Sequence, residues 1–289
     1  MQRSPVFRLV TLLAVTAALG GCAKPAPQAG PSSAPPPAAG NPSTVPLPPP
    51  LVAAMPLPDD AVGKAVAKLD GIADELMKKS GIPGMSVAVI HGGKVVYAKG
   101  FGVKDVRKGD DPANRVDPDT VFQLASLSKP LGSTVVAHQV SEGAVDWNTP
   151  IVEKLPWFAL GDPTVTKLVT VGDMYSHRSG LPDHAGDLLE DLGYDRRYIL
   201  ERLRQLPLAP FRISYAYTNF GLTAAAEAVA VASGKTWEDL SDQVLYRPLG
   251  MASTSSRFAD YEARPDKAVG HIRIDGTYKP LYKLSLIHI

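Results

Sequence analysis

The chain has 289 residues, 45% of them hydrophobic and 20% charged, so it is long enough to bury a substantial core. Its formal net charge of +1 gives no reason to expect nucleic-acid binding. A single cysteine, Cys22, excludes an intrachain disulfide and a metal cluster built on cysteines. We expect no cofactor and no metal ion.

The N-terminus has the pattern of an export signal. Arg3 and Arg8 give it a basic start, and residues 9–19 form an uncharged apolar run that is too short to span a bilayer. The run ends in LGGC at residues 19–22, which resembles a bacterial lipobox. We therefore expect residues 1–21 to be a lipoprotein signal peptide and Cys22 to be the lipidated first residue. The alternative is an ordinary secretory signal with an incidental cysteine.

Residues 22–58 are predicted to be a linker. They contain 13 prolines and a single charged residue, Lys24. Such a composition cannot form a core and favours extended, polyproline-like conformations. A stalk between a membrane anchor and a globular domain explains this segment better than a ligand for proline-recognition modules.

The globular part is predicted to open with a helix and a β-hairpin. Apolar residues at helical spacing predict a helix from Asp59 or Asp60 to Lys79, and the Gly81-Ile82-Pro83 sequence stops it. Two β-rich runs follow at residues 84–91 and 94–103, joined by Gly92-Gly93, a hairpin signal.

The rest of the globular part is predicted to be mainly helical up to Leu249. The clearest helix spans residues 220–233, is rich in alanine and is closed by Gly234. A two-stranded hairpin is not stable alone. Further strands are therefore required, but the remaining sequence offers little beyond residues 269–274.

Two short motifs carry the chemistry. A serine hydroxyl is a poor nucleophile at neutral pH and needs a neighbouring base or cation. In Ser126-Leu127-Ser128-Lys129, a lysine three residues along a helix faces the Ser126 hydroxyl. In Tyr217-Thr218-Asn219, a tyrosine brought to the same place could take the serine proton if a cation lowers its pKa.

Five sequence blocks surround and include these motifs. They are GMSVAV at 84–89, FQLASLSKP at 122–130, SHRSGLP at 176–182, YTNFG at 217–221 and RPLGM at 247–251. In this order they resemble the serine β-lactamase and penicillin-binding protein superfamily, in particular its class C β-lactamase and esterase-like branch. The resemblance runs from about residue 60 to about residue 271.

The resemblance implies an α+β fold, with an antiparallel sheet and flanking helices beside a helical domain. Residues 59–119 would be the N-terminal part of the α/β domain. Residues 120–262 would be the mainly helical domain, and residues 263–283 would start the return to the α/β domain.

The resemblance also implies the roles of the site residues. Ser126 would be the acylated nucleophile at the N-terminal end of a helix, and its backbone N–H would be half of the oxyanion hole. Lys129 would keep the serine and tyrosine protons labile, and Tyr217 would be the general base. Asn219 would bind the substrate and steady Lys129.

Two histidines invite other interpretations. His177 suggests a serine–histidine triad, but it lies in a block that is structural in the family, and the sequence has no Gly-x-Ser-x-Gly elbow. We therefore favour a packing role for His177. His184 with Asp183 and Asp187 suggests a metal site without a recognised ligand spacing, so a surface loop is the preferred interpretation.

The sequence departs from the family at its C-terminal end. The family's Lys-Thr-Gly or His-Thr-Gly strand, which supplies the second oxyanion N–H, has no counterpart, and Lys235-Thr236-Trp237 is predicted to lie in a turn between helices. Residues 284–289 (LSLIHI) can be encoded by the start of a transposase adapter used for sequencing libraries. We expect these residues to be translated adapter and the gene to continue; the alternative is a natural truncation.

Three functions remain open. The first is a lipid-anchored serine hydrolase that acts on an ester or amide (a β-lactam, an ester or a D-amino-acid peptide), active in the full-length protein and inactive in this fragment. The second is a penicillin-binding carboxypeptidase or transpeptidase that acts on cell-wall peptides. The third is a non-catalytic binding lipoprotein. In each case we expect a bacterial cell-envelope location, in the periplasm or on the outer membrane, with a membrane contact through Cys22.

Overall fold

The computed structural model describes residues 57–281. The predicted signal peptide, Cys22, almost the whole linker and residues 284–289 lie outside the described residues. Within residues 57–281, no helix combines the length and the apolar character needed to cross a bilayer.

The described part is mainly helical, with two antiparallel hairpins near its ends. In chain order its elements are α1 Ala61–Val66, α2 Leu69–Ser80, β1 Gly84–His91, β2 Lys94–Gly102, α3 Ser128–Ser141, α4 Ile151–Lys154, α5 Pro163–Leu168, α6 Val171–Tyr175, α7 Asp187–Asp191, α8 Arg196–Arg202, α9 Asn219–Ser233, α10 Trp237–Ser241, α11 Phe258–Ala263, β3 His271–Ile274 and β4 Thr277–Pro280. Short 3-10 turns lie at Val106–Lys108, Pro112–Asn114, Ala125–Leu127 and Leu203–Gln205, and a π-helical turn lies at Asp242–Tyr246.

The first predicted helix is present, but it is divided in two. The chain turns at Ala67 and Lys68, where Lys68 N–H donates to Ala65 O in a 3-10-type bond. No residue of α1 is fully buried, so little tertiary packing holds it in line with α2. The predicted stop is confirmed: Gly81 caps α2 in the left-handed conformation, at φ 69°.

The first hairpin is confirmed at the predicted place. β1 and β2 pair from Gly84 opposite Gly102 to His91 opposite Lys94, with a bulge after Val89. Gly92 and Gly93 both have positive φ, which a two-residue hairpin turn requires.

The prediction of strand structure near the C-terminal end was incomplete. β3 begins two residues later than expected, and β4, which pairs with it, was missed. The two strands are joined by Asp275 and Gly276, both with positive φ. This Asp-Gly pair is a strong hairpin signal, but strands of only four residues are too short to give a clear hydrophobic pattern.

The main hydrophobic core surrounds α9. Ten residues of this helix are buried, from Phe220 to Ala230, and five of them are alanines. Alanine has a small side chain, so neighbouring helices can approach closely, and α3, α4, α6 and α10 pack against α9. The predicted alanine-rich helix is therefore the centre of the helical part, and its first turn leads directly to the Tyr217-Thr218-Asn219 motif.

Two glycines allow a test of the packing of the N-terminal hairpin. A Cβ added at Gly100 in β2 would lie 2.2 Å from the Val116 carbonyl oxygen, whereas a Cβ at Gly71 in α2 would meet nothing within 4 Å. We expect Gly100→Ala to lower the free energy of unfolding by about 1–3 kcal/mol through overpacking. We expect Gly71→Ala to raise it by about 0.5–1 kcal/mol because alanine favours a helix. Urea unfolding curves check both; equal effects of the two substitutions would contradict the packing described here.

Candidate active site

Ser126 lies in a 3-10 turn, Ala125–Leu127, directly before α3. Ala125 has φ 45°, in the left-handed region that a residue with a Cβ rarely adopts, so the backbone is strained next to the serine. Lys129 is the second residue of α3, and its Nζ donates to Ser126 Oγ at 3.0 Å. The predicted contact between Lys129 and Ser126 is therefore present. Pro130 fits the first turn of the helix, where a backbone N–H is not needed.

Tyr217 and Asn219 meet this pair from the start of α9. Thr218, which lies between them, is at the N-cap position of α9 and is fully buried. Tyr217 Oη lies 2.5 Å from Ser126 Oγ, and Asn219 Oδ1 accepts a hydrogen bond from Lys129 Nζ at 2.7 Å. Lys129 Nζ also lies 4.6 Å from the centre of the Tyr217 ring. The structure thus brings together all four residues that the sequence singled out.

The surroundings of Tyr217 favour its phenolate form. Partial burial raises the pKa of Tyr217, but the Lys129 ammonium and the Ser126 hydroxyl outweigh this effect, so the net pKa lies below its ordinary value of 10.0. At a given pH a larger fraction of Tyr217 is therefore the phenolate than for an ordinary tyrosine, and the phenolate is the form that can accept the Ser126 proton.

His177 packs against the ring of Tyr217. Its Nδ1 accepts a hydrogen bond from Thr218 N–H at 3.1 Å, and its ring lies 4.8 Å from the Tyr217 ring. Burial and the positive charge of Lys129 lower the pKa of His177. In the neutral ring Nδ1 can remain unprotonated and accept the hydrogen bond from Thr218. This agrees with the packing role favoured from the sequence.

Asp187 and His184 belong to the site in a way that sequence reasoning missed. Asp187 Oδ2 accepts from Asn219 Nδ2 at 3.0 Å and lies 2.8 Å from His184 Nδ1. Among residues 57–281, no group of three histidine, cysteine, aspartate or glutamate side chains could hold a metal ion. His184 is exposed, as expected for a surface loop, but the loop borders the candidate site. The spacing of three residues indicated that His184 and Asp187 could meet, but no local pattern indicated their contact with Asn219.

Lys235 and Thr236 lie between α9 and α10, as predicted, and Trp237 is the first residue of α10. Thr236 is the N-cap of α10 and accepts a hydrogen bond from Asp239 N–H. Its hydroxyl therefore has a structural role in starting a helix.

The profile of the Beta-lactamase family matches residues 69–282. The chain therefore belongs to the β-lactamase family, and the predicted α+β fold of that family is confirmed. The unguisins hydrolase ungD' of Aspergillus campestris is 32% identical over 197 residues, which cover 63% of this chain and 35% of that protein. The D-alanyl-D-alanine-carboxypeptidase/endopeptidase AmpH of Escherichia coli is 29% identical over 207 residues, which cover 69% of this chain and 50% of that protein.

A solved class C β-lactamase of Rhodobacter sphaeroides has the same fold, with a TM-score of 0.62 and 24% identity over 76% of this chain and 59% of that chain. The chain spans half or less of the length of the two curated relatives described above.

The Lys129–Tyr217 contact predicts a measurable titration. We expect the phenol of Tyr217 to ionise below pH 10, and Lys129→Met to move its pKa upward because the neighbouring cation is lost. Ultraviolet difference titration checks this prediction, with Tyr217→Phe subtracted to isolate one tyrosine. An unchanged titration of Tyr217 in Lys129→Met would contradict it.

Proposed function

We propose that the protein is a serine hydrolase that forms an acyl-enzyme with an ester or amide substrate. The observation that carries the proposal is the position of Ser126 Oγ, 2.5 Å from Tyr217 Oη and 3.0 Å from Lys129 Nζ. A nucleophile, a base with a lowered pKa and a cation within hydrogen-bond distance are the parts that nucleophilic catalysis needs. Membership of the β-lactamase family supports the same chemistry.

In the proposed reaction, Ser126 Oγ attacks the substrate carbonyl while its proton passes to Tyr217. The carbon–nitrogen or carbon–oxygen bond of the substrate then breaks, and the leaving group takes that proton. Water attacks the acyl-serine in the second half of the reaction, which releases the acid and restores the Ser126 hydroxyl. Lys129 stabilises the phenolate of Tyr217, and Asn219 holds Lys129 and contacts the substrate.

A second candidate is a D,D-carboxypeptidase or transpeptidase that acts on cell-wall peptides. It is favoured by one observation, the similarity to AmpH, which is named as a carboxypeptidase and endopeptidase for D-alanyl-D-alanine. Both candidates form an acyl-enzyme at Ser126; they differ in the substrate and, for a transpeptidase, in the acceptor of the acyl group, which is an amine of a second peptide in place of water. A non-catalytic binding lipoprotein is disfavoured because it would not require Ser126, Lys129 and Tyr217 to lie in mutual contact.

Covalent labelling tests the acyl-enzyme. We expect the complete gene product to react with a fluorophosphonate or with fluorescent penicillin, and Ser126→Ala to abolish the label because the nucleophile is lost. Ser128→Ala is the matched control, since it removes a hydroxyl two residues away and should keep the label. Gel fluorescence measures the outcome. If neither probe labels the protein, or if Ser126→Ala labels equally well, the proposal fails.

We also propose that the protein is exported and anchored through Cys22, with residues 22–58 as the stalk between the anchor and the β-lactamase-like domain. The lipobox-like sequence and the proline-rich composition support this location.

The anchor can be tested directly. We expect Cys22→Ala to lose metabolic labelling with an alkyne fatty acid and to leave the membrane fraction, because the thiol that carries the lipid is gone. Ser32→Ala, in the same linker, should remain labelled and membrane-bound. Unchanged labelling of Cys22→Ala would show that the lipid is attached elsewhere or that the label is unspecific.

A further inference from the structure

The Asp187 carboxylate lies next to the candidate site but takes no part in the reaction described above. Its Oδ2 accepts from Asn219 Nδ2 and contacts His184 Nδ1, whereas its Oδ1 is buried without a hydrogen-bond partner among the described residues. The side chain as a whole is 23% exposed. A largely buried charge with one unused oxygen is costly, so its position requires an explanation.

The Asn219 amide lies between two opposite charges. Its Oδ1 accepts from Lys129 Nζ at 2.7 Å, and its Nδ2 donates to Asp187 Oδ2 at 3.0 Å. An ammonium can only donate and a carboxylate can only accept. The two partners therefore fix the amide in one orientation, because a flipped amide would place N–H groups against Lys129 and an oxygen against Asp187.

His184 holds the Asp187 carboxylate in place. Its backbone has φ 55°, and its N–H donates to Tyr217 O at 2.7 Å. The hydrogen bond to Asp187 raises the pKa of His184, which favours the charged ring beside the carboxylate. The loop that carries His184 and Asp187 is thus hydrogen-bonded to Tyr217 through the His184 backbone and to Asn219 through the Asp187 side chain.

We propose that Asp187, held by His184, is a positioning residue that keeps the Asn219 carbonyl oxygen on Lys129 and so keeps the ammonium at Ser126. The proposal rests on the acyl-enzyme function proposed above. Asp187 makes no hydrogen bond to Ser126 or Tyr217 among the described residues, and its hydrogen bond to Asn219 carries the proposed effect. Its charge also raises the pKa of Tyr217, so its loss would favour the phenolate and cannot by itself account for slower acylation. Without the carboxylate, the amide loses one of the two partners that orient it, and Lys129 loses a fixed acceptor.

The test measures acylation of the complete protein by a fluorophosphonate and hydrolysis of a nitrophenyl ester. We expect Asp187→Ala to slow acylation by about 10- to 100-fold, the loss expected for a hydrogen bond to a charged group. The fall should appear in kcat/KM of the ester and in the rate of fluorophosphonate labelling, because both report the acylation step. Asp187→Asn should recover most of the rate, because its amide oxygen can still accept from Asn219. If Asp187→Ala does not fold, Asp187→Leu, closer in size, replaces it.

A double-mutant cycle separates positioning from general destabilisation. If Asp187 acts through Asn219, the combined Asp187→Ala and Asn219→Ala variant will be no slower than Asn219→Ala alone. Losses that multiply would overturn the proposal. Glu153→Ala, which removes an exposed carboxylate of α4 that has no hydrogen bond or ion pair to His184, Asp187 or Asn219 in the described part of the chain, is the control and should stay within about twofold of the parent.

The outcomes distinguish this proposal from the proposed function. A normal acylation rate in Asp187→Ala, with Ser126→Ala inactive, would overturn the positioning role and leave the serine hydrolase standing. Acylation that survives in Ser126→Ala would overturn both.

Discussion

The Lys129 ammonium joins the two parts of the chain that form the candidate site. It donates to Ser126 three residues earlier and to Asn219 ninety residues later, at 3.0 and 2.7 Å. An ammonium has only donors, so each of its hydrogen-bond partners must present an acceptor to it. The same charge lowers the pKa of Tyr217, whose ring lies beside it. One cation therefore orients the serine, favours the phenolate and selects the orientation of the amide.

Helix packing determines where this cation can act. Asn219 is the first residue of α9, whose next turns are buried in the core, and Lys129 lies in the first turn of α3, which packs against α9. The polar side chains of the site thus lie at the N-terminal ends of α3 and α9, just before the turns of these helices that are buried. Ala125, His177 and His184 all have positive φ and flank the same place. Strained backbone of this kind persists when the surrounding structure holds it, and here the helical core provides that support.

Much of this arrangement could be predicted because its signals are local. The spacing from Ser126 to Lys129, the Gly92-Gly93 turn and the alanine-rich helix each depend on a few neighbouring residues. The contact of Asp187 with Asn219 spans 32 residues and depends on how a loop folds over the start of α9, so no local pattern indicates it. The break between α1 and α2 was missed because helical periodicity does not show how little tertiary packing a segment has.

Asn219 is both the first residue of the buried helix α9 and a residue of the candidate site. Formation of the site is therefore linked to folding of the helical core. The contacts that join Ser126, Lys129 and Asn219 exist only when α3 and α9 are packed together, so the site cannot assemble separately from the helical core. A molecule that binds to these assembled residues binds the folded state and not the unfolded chain, and mass action then shifts the unfolding equilibrium towards the native fold. Heat resistance of the helical part is therefore a readout of site occupancy, usable to screen ligands before any substrate is known.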